Sequence, residues 1–193
     1  MLSFKNSLQV LKKTRALLEG HFILSSGLHS TNYVQCAKLL SKPTQAKKFI
    51  SSLATKIKRN IKSFDIILSP AMGGVIIGYE IGRLLKKETI FCERVDKKFK
   101  LRRGFNIKKK AKVLIVEDVI TTGKSSLECV RLIKKFGGKF VGIACLIDRS
   151  KKIKMSKKII SQVKLDIPVY KRNKLPTHLK NIKITKPGSR YLR

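Results

Sequence analysis

The sequence predicts an α/β fold in which a parallel sheet is flanked by helices. Short apolar runs alternate with amphipathic helical patterns from about residue 44 to residue 150, and this alternation is typical of parallel strands joined by right-handed helical crossovers. Of the 193 residues, 42% are hydrophobic and 29% are charged, values close to globular averages that leave enough apolar surface for one core. We therefore expect a single domain over residues 1–193.

The predicted elements follow one another in a regular order. An amphipathic helix opens the chain and ends near Gly20, and a polar loop follows it at residues 25–30. Residues 44–60 carry apolar side chains three and four positions apart, which indicates a second helix. Further strands are expected at residues 65–69, 89–92, 112–116 and 140–147, and further helices at 75–85 and 125–136.

Two segments depart from this alternation. Residues 95–110 are mostly Lys and Arg around Gly104, which we interpret as too polar to pack and as part of a mobile loop at about 94–110. The basic stretch 153–193 contains three prolines and is expected to form a small cap with the N-terminal residues. The predicted core thus spans about 44–150, and the predicted hood spans about 1–43 and 151–193.

The charge balance is unusual, because 45 basic residues against 11 acidic ones give a net charge of +34. Compositional bias, a nucleic-acid partner and an enzyme with anionic substrates would each account for it. The basic residues are spread along the chain and Trp is absent, so the stacking platform of a single-strand binder is not indicated. Nucleic acid is therefore expected to bind non-specifically, if it binds.

The cysteines and the apolar segments indicate the cellular location that we expect for the protein. The four cysteines are widely separated and form no CxxC pair, so neither a zinc site nor a redox motif is predicted. The N-terminus lacks the pattern of a secretory signal. Pro70 and Arg83 interrupt the most apolar region, residues 66–85, which argues against a membrane span. We expect a cytoplasmic protein without a membrane partner.

The strongest candidate for a site lies within residues 113–125. Glu117 and Asp118 come at the end of an apolar run, and ligands of open parallel sheets bind at the carboxyl ends of the strands. A loop of hydroxyl-bearing residues and one glycine follows and leads into a helix, which suits a phosphate group. A nucleotide-triphosphate loop would require glycine where Asp118 stands. The segment thus predicts a monophosphate loop beside two carboxylates that could bind sugar hydroxyls or Mg²⁺.

The string VLIVEDVITTGKS at residues 113–125 resembles the phosphoribosyl diphosphate (PRPP) motif of type I phosphoribosyltransferases. Further segments, in order and spacing, are similar to the orotate branch of this family and to its short bacterial subgroup. These segments are residues 20–30, 69–74, 93–94, 101–105, 148–149 and 186–190. The resemblance covers essentially the whole chain and implies a type I phosphoribosyltransferase-like core with a small hood.

The resemblance implies the reaction of orotate with PRPP to give orotidine 5′-monophosphate and pyrophosphate, a step of pyrimidine (UMP) biosynthesis. It implies that Mg²⁺ is the cofactor, held mainly through the diphosphate of PRPP with no direct protein ligand. It also implies a homodimer with shared active sites. The transition state is expected to resemble an oxocarbenium ion, so positioning and electrostatics would dominate catalysis.

The resemblance also implies roles for individual residues. The two acids and two arginines of the mobile loop are expected to be catalytic: Glu117, Asp118, Arg102 and Arg103. PRPP is expected to contact the acids, the loop that follows them and the basic segment, namely Glu117, Asp118, Val119, Ile120, Thr121, Thr122, Gly123, Lys124, Ser125, Arg94, Lys98 and Lys100. Orotate is expected to contact Thr121, the side chain of Arg149 and the backbone of Tyr33 and Val34.

The sequence departs from the orotate pattern at three points. Ser25 and Gly73 stand where many of these enzymes carry Lys, and the segment 94–110 lacks a His. Two alternatives also remain open. One is a PRPP-binding regulator that binds nucleic acid, and the other is a purine-base phosphoribosyltransferase. Arg149 discriminates between the bases, because a guanidinium suits the carboxylate of orotate and a purine does not require it.

Overall fold

The structure, a computed structural model, describes residues 1–24, 26–151, 153, 157 and 159–187. Six helices and ten strands lie in these residues: α1 (Phe4–Lys13), β1 (Leu17–Ile23), β2 (His29–Val34), α2 (Cys36–Leu40), α3 (Pro43–Asn60), β3 (Ile66–Pro70), α4 (Gly73–Leu85), β4 (Glu88–Val95), β5 (Lys98–Leu101), β6 (Lys112–Ile120), α5 (Lys124–Lys135), β7 (Lys139–Asp148), β8 (Ile159–Lys164), β9 (Val169–Tyr170), α6 (Thr177–Lys180) and β10 (Ile184–Thr185). A single 3₁₀ turn, Arg172–Lys174, precedes α6.

A six-stranded sheet lies at the centre of the molecule, in the order β5-β4-β3-β6-β7-β8. All neighbouring strands pair in parallel except β4 and β5, which are antiparallel. The predicted parallel α/β sheet is therefore confirmed, with one antiparallel strand at its edge. The buried runs of β3 and β6 explain why these segments are almost continuously apolar, since helices cover both faces of a parallel sheet.

The two faces of the sheet bury separate apolar clusters. On one face, Phe49 and Leu53 of α3 and Ile77 of α4 pack on the sheet. On the other face, Leu132 and Ile133 of α5 pack against it. The sheet therefore carries α3 and α4 on one side and α5 on the other. Because α4 follows β3 and α5 follows β6 in the chain, both helices start near the carboxyl ends of the strands, where ligands bind in such sheets.

The basic segment 94–110 is more structured than its composition suggests. Strands β4 and β5 form a hairpin, and both turn residues, Asp96 and Lys97, have positive φ angles of 52° and 63°, as expected for a two-residue hairpin turn. Phe99 and Ile107 are buried in the cluster beneath α5. The prediction that this segment is too polar to pack is therefore wrong for these two side chains. Strand alternation in β5 turns Phe99 inward while Lys98 and Lys100 point outward, and Ile107 is buried from the loop that follows β5.

A second, four-stranded sheet in the order β10-β1-β2-β9 joins the two ends of the chain. This is the hood expected from the N- and C-terminal segments. Its first strand was not predicted, because α1 ends at Lys13 and Arg15, with φ 58°, turns the chain into β1. The expected helix to Gly20 and the expected loop at 25–30 are thus wrong in part: residues 17–20 and 29–30 belong to strands, and Ser25 lies outside the described residues.

The predicted C-terminal boundary of the core near residue 150 also needs correction. Strand β8 pairs in parallel with β7, for example Ile143 with Ile159, and so belongs to the central sheet. Only the later strands β9 and β10 join the hood within the described residues. The basic motif at residues 186–190 lies largely outside the described residues.

Two buried histidines link the hood strands to the C-terminal segment. The Nδ1 atom of His21 lies 3.3 Å from the carbonyl oxygen of Ile182, and its Nε2 atom lies 2.6 Å from Nδ1 of His29. Since a carbonyl only accepts, Nδ1 of His21 donates to Ile182, and one proton lies between Nε2 of His21 and Nδ1 of His29. Burial, the charge of His21 and the charge of Arg172 lower the pKa of His29, which favours its neutral form.

Within the described residues, no helix combines the length and the apolar character needed to cross a lipid bilayer.

Candidate active site

The two acidic residues singled out in the sequence lie within β6, which continues beyond them to Ile120. Strand β6 was predicted to end at residue 116, so it is longer than expected. Because successive side chains of a strand point to opposite faces, Glu117 and Asp118 diverge, the first toward α5 and the second toward the start of α4. The site therefore presents carboxylates on both sides of one strand.

Glu117 is buried on the α5 side of the sheet. Its Oε1 accepts a hydrogen bond from Oγ of Ser126, in the first turn of α5. Burial and the neighbouring charge of Asp118 raise the pKa of Glu117 to about 7, and the hydrogen bond from Ser126 acts in the opposite direction. The carboxyl group of Glu117 therefore changes its protonation state near neutral pH.

Asp118 is half-buried on the other side of the strand. Its carboxylate lies where a Cβ atom on Gly73 would stand, with only 2.6 Å between that position and Oδ2. The thiol of Cys36, which begins α2, donates to the carbonyl oxygen of Asp118 over 3.6 Å. Burial raises the pKa of Asp118, while the amides of Val119 and of Asp118 itself lower it. The start of α4 and the start of α2 thus hold this acid from two directions.

The loop after β6 is open and ends at a helix N-terminus. Thr121, Thr122 and Lys124 are exposed, whereas Gly123 is buried and takes a left-handed conformation with φ 73° as the residue before α5. The first amides of a helix lack intrahelical acceptors, and the first turn of α5 contains no acidic residue. Loop and helix together can therefore bind a phosphate group.

A second helix begins beside Asp118, and the sequence did not identify it as part of the site. Strand β3 ends at Pro70, the Ala71–Met72 peptide bond is cis, and α4 starts at Gly73 with no side-chain cap. Gly74 packs closely as well, since a Cβ there would lie 3.0 Å from the carbonyl oxygen of Val116. The paired glycines could have signalled this close approach of the α4 backbone to β6.

Arg149 follows β7 and lies at the edge of the same site. Its amide donates to the carbonyl oxygen of Ile120 over 2.8 Å, and its side chain is half-buried. Burial lowers the pKa of Arg149, while Tyr33 and Cys36 act in the opposite direction, so the guanidinium lies close to the hood. Its buried Nε has no hydrogen-bond partner among the described residues.

The structure pairs three of the expected loop cations with acids other than Glu117 and Asp118. Arg94 pairs with Glu128 of α5 at 2.8 Å, and Arg103 pairs with Glu93 at 3.0 Å. Lys100 pairs with Asp96 at the hairpin turn. The other two, Lys98 and Arg102, are exposed. In this arrangement the hairpin packs against α5.

The comparison with known families decides which protein this site belongs to. A model of the phosphoribosyl transferase domain matches residues 40–180, which include both acids, the phosphate loop and Arg149. The chain belongs to the phosphoribosyltransferase family. This phosphoribosyltransferase is 45% identical over 185 residues to an orotate phosphoribosyltransferase of Erythrobacter litoralis (strain HTCC2594), covering 95% of this chain and 96% of that one.

Solved structures of similar fold cover most of the phosphoribosyltransferase. An orotate phosphoribosyltransferase from Aeropyrum pernix matches with a TM-score of 0.73 at 24% identity, over 81% of this chain and 92% of that one. An adenine phosphoribosyltransferase from Thermoanaerobacter pseudethanolicus ATCC 33223 matches with a TM-score of 0.62 at 18% identity, over 69% of this chain and 88% of that one. At these identities the two structures support the predicted fold, and they do not distinguish between bases.

Among the described residues of the phosphoribosyltransferase, no group of three or more His, Cys, Asp or Glu side chains is arranged to hold a metal ion. In proteins, Mg²⁺ commonly keeps phosphate oxygens of a substrate among its ligands.

Proposed function

We propose that this phosphoribosyltransferase is an orotate phosphoribosyltransferase that works in the cytoplasm in pyrimidine biosynthesis. The observation that carries the choice of base is the buried Nε of Arg149, which has no hydrogen-bond partner among the described residues. A buried charged donor without a partner is costly, and a planar carboxylate accepts from a guanidinium in bidentate fashion. The 45% identity to a curated orotate enzyme supports the same choice.

The phosphate loop binds the 5′-phosphate of PRPP in this proposal. Residues 121–125 supply hydroxyls and amides at the start of α5, and the left-handed Gly123 leaves room for close approach. The partial positive charge of the helix N-terminus favours a dianion at this position. The amides of Val119 and Ile120 lie on the strand that leads into the loop.

The start of α4 receives the diphosphate. Gly73 and Gly74 present an uncapped helix N-terminus beside Asp118. Mg²⁺, bound through the diphosphate oxygens, would neutralise charge on the leaving group. Gly73 stands where relatives carry Lys, so more of the binding here falls to backbone amides and to the loop residues Arg94, Lys98 and Lys100.

Glu117 and Asp118 act on the ribose between these two phosphate sites. Their carboxylates bind the 2′ and 3′ hydroxyls and stabilise the positive charge that develops as the bond from C1′ to the diphosphate oxygen breaks. The bond from C1′ to N1 of orotate forms in the same displacement, and the proton of N1 leaves to solvent. No protein nucleophile is required, so precise positioning supplies most of the rate enhancement.

Orotate lies between Arg149 and the hood. Arg149 binds its carboxylate, Thr121 lies on the ribose side, and the backbone of Tyr33 and Val34 contacts the pyrimidine ring. Strand β2 carries these last two residues and is held against β6 through the contact of Cys36 with Asp118. The hood therefore positions the base relative to the ribose.

The enzyme is a homodimer in this proposal, and the basic segment completes the partner's site. Helix α4 exposes three large apolar side chains close to the diphosphate site, namely Met72, Ile76 and Tyr79, with 85%, 57% and 67% of their surface accessible. An apolar patch of this kind on a charged protein marks a protein interface. Arg102 and Arg103 would then reach the neighbouring diphosphate and exclude water as the segment closes.

The decisive experiment measures initial rates with orotate, PRPP and Mg²⁺, with adenine, hypoxanthine and uracil assayed in parallel. Arg149→Ala should raise the KM for orotate on the order of tenfold to a hundredfold, since a charge-assisted pair is lost, and leave PRPP binding intact. Arg59→Ala, on the exposed end of α3, is the control and should change neither value. A parallel loss of PRPP binding in Arg149→Ala would contradict the assignment. Absence of turnover with PRPP still bound would favour the regulator instead.

A further inference from the structure

A cavity of about 590 Å³ lies between the hairpin and the outer side of α5. It is formed by β5 and by residues 128–136, the C-terminal part of α5 and the residue that follows it. The phosphate loop lies at the opposite end of the same helix. The cavity is therefore separate from the acidic pair and from the phosphate loop, although Lys98 and Lys100 of the hairpin line it, and its size suits one small ligand.

The floor of the cavity is apolar and partly aromatic. Phe99 and Leu101 of the hairpin and Leu132 and Phe136 of the helix region line it. The guanidinium of Arg94 lies over the ring of Phe99, 4.1 Å from its centre, and fixes that ring in place. Phe99 is almost fully buried, whereas Phe136 is only partly buried at the edge of the same packed face and offers its exposed part to a flat apolar group.

The mouth of the cavity is strongly basic. Five cationic side chains line it on both sides: Lys97, Lys98, Lys100, Arg131 and Lys135. The one acid in the lining, Glu128, is already paired with Arg94, and Lys100 is paired with Asp96. The other four cations have no ion pair in the described part of the chain. The mouth therefore attracts an anion with more than one negative charge.

These two features together select the chemistry of the ligand. An aromatic floor stacks with a planar base, and a ring of Lys and Arg binds phosphate oxygens. A second copy of this chain would bring the same excess of positive charge to the mouth, so it is a poor occupant. A bounded cavity holds one nucleotide, whereas an extended strand of nucleic acid requires a continuous groove.

We propose that this cavity is a binding site for a nucleoside di- or triphosphate, distinct from the active site. The base lies against Phe136, and the phosphates lie among Arg131, Lys135 and the lysines of the hairpin. A ligand there joins β5 to α5, so it holds the hairpin in the position in which Arg94 pairs with Glu128. Bound nucleotide thus keeps the basic segment away from the active site and lowers the rate of turnover.

Calorimetric titration of the full chain with ATP, UTP and inorganic triphosphate tests the site, with excess PRPP present to occupy the phosphoribosyl site. The double variant Arg131→Ala/Lys135→Ala should weaken nucleotide binding at least about tenfold, because charged hydrogen bonds are lost. The matched control Lys47→Ala/Lys48→Ala removes two exposed cations from α3 and should leave the affinity unchanged. Phe136→Leu keeps most of the apolar volume but removes the aromatic ring. It should weaken the binding of ATP and UTP about fivefold through lost stacking and leave the affinity for inorganic triphosphate unchanged.

Four results would overturn the proposal. Equal weakening by both double variants would mean that binding is non-specific charge attraction. Inorganic triphosphate that binds as tightly as ATP and UTP would mean that the base is not recognised. No saturable binding of either nucleotide to the unaltered chain would mean that the cavity has no such ligand. The fourth result would be an oligouridylate that binds far more tightly than UTP and whose advantage in affinity disappears in Arg131→Ala/Lys135→Ala. That result would assign the surface to nucleic acid.

Discussion

The carboxylate of Asp118 occupies the space into which a side chain at Gly73 would project. All three atoms of the carboxylate group lie within 2.7 Å of the position of a Cβ at residue 73. The start of α4 and the acidic residue of β6 are thus in direct contact, and glycine is the residue that permits it. This contact sets the distance between the proposed diphosphate and ribose sites.

Gly73→Ala should therefore impair catalysis more than it impairs folding. The new methyl group must displace Asp118 or the start of α4, and a shift of about 1 Å in a positioning group lowers the rate on the order of a hundredfold. Gly138→Ala is the control, because its Cβ would also be crowded, 2.8 Å from Cγ2 of Ile107, at the amino end of β7. Kinetics and thermal unfolding of both variants separate the effects; equal loss of activity in the two would contradict the prediction.

Ser126→Ala should move the pH profile of kcat/KM toward higher pH. The pKa of Glu117 is about 7, and the hydrogen bond from Ser126 holds it lower than burial alone would. If ionised Glu117 binds the ribose hydroxyls, kcat/KM rises through pH 7 in the unaltered enzyme, and it should rise at higher pH in the variant. Ser41→Ala, on the surface, should leave the profile in place, and an unshifted profile in Ser126→Ala would refute this role.

Glu117→Gln should change how stability depends on pH. The pKa of Glu117 is raised from 4.5 to about 7 in the folded protein, so between these values the folded chain binds the extra proton. The stabilisation is complete below pH 4.5 and is lost as pH rises through 7. The free energy of unfolding of the variant minus that of the unaltered protein should be on the order of 2 kcal/mol higher at pH 8 than at pH 5. Denaturant unfolding at both pH values measures this difference, and a constant difference would contradict the shift.

Acid should destabilise the hood through His29. Its pKa is lowered from 6.5 in the folded protein, so the unfolded chain binds the proton first. The stabilisation is present above pH 6.5 and is lost as pH falls through the lower, folded pKa. His29→Asn should therefore show a smaller fall in Tm between pH 7.5 and pH 5.5 than the unaltered protein. His178→Asn, which changes an exposed histidine, should keep the full fall.

The core could be predicted from the sequence because its signals are local. The apolar run that became β3 and the spacing of Ala46, Phe49 and Leu53 in α3 reflect burial on a parallel sheet and on one helix face. The hood could not be predicted in the same way. Strand β1 follows closely on α1, and the amino acids around the turn at Arg15 do not mark the end of the helix. The pairing of β1 with β10 joins distant parts of the chain, so no local pattern predicts it.

The residue types of the candidate site could be taken from the sequence, whereas its geometry could not. Glu117 and Asp118 were recognised as an acidic pair, but their divergence to opposite faces follows from the extension of β6 to Ile120. The hairpin strand β5 does carry alternating side chains, with Phe99 between two lysines, yet four residues amid so much charge give a weak pattern. The closeness of Gly73 to Asp118 depends on how α4 packs against β6, which the sequence alone does not reveal.

The pairing of β1 with β10 also bears on the order in which the protein is made. Strand β1 leaves the ribosome early, but its neighbour on one side, β10, begins only at Ile184. At about 5–20 residues per second, translation leaves β1 without this neighbour for on the order of ten seconds or more. During that interval one edge of β1 in the nascent chain is unpaired and can form hydrogen bonds with other chains. Chaperone binding to residues 17–23 of the nascent chain is therefore expected until residues 184–185 have left the ribosome.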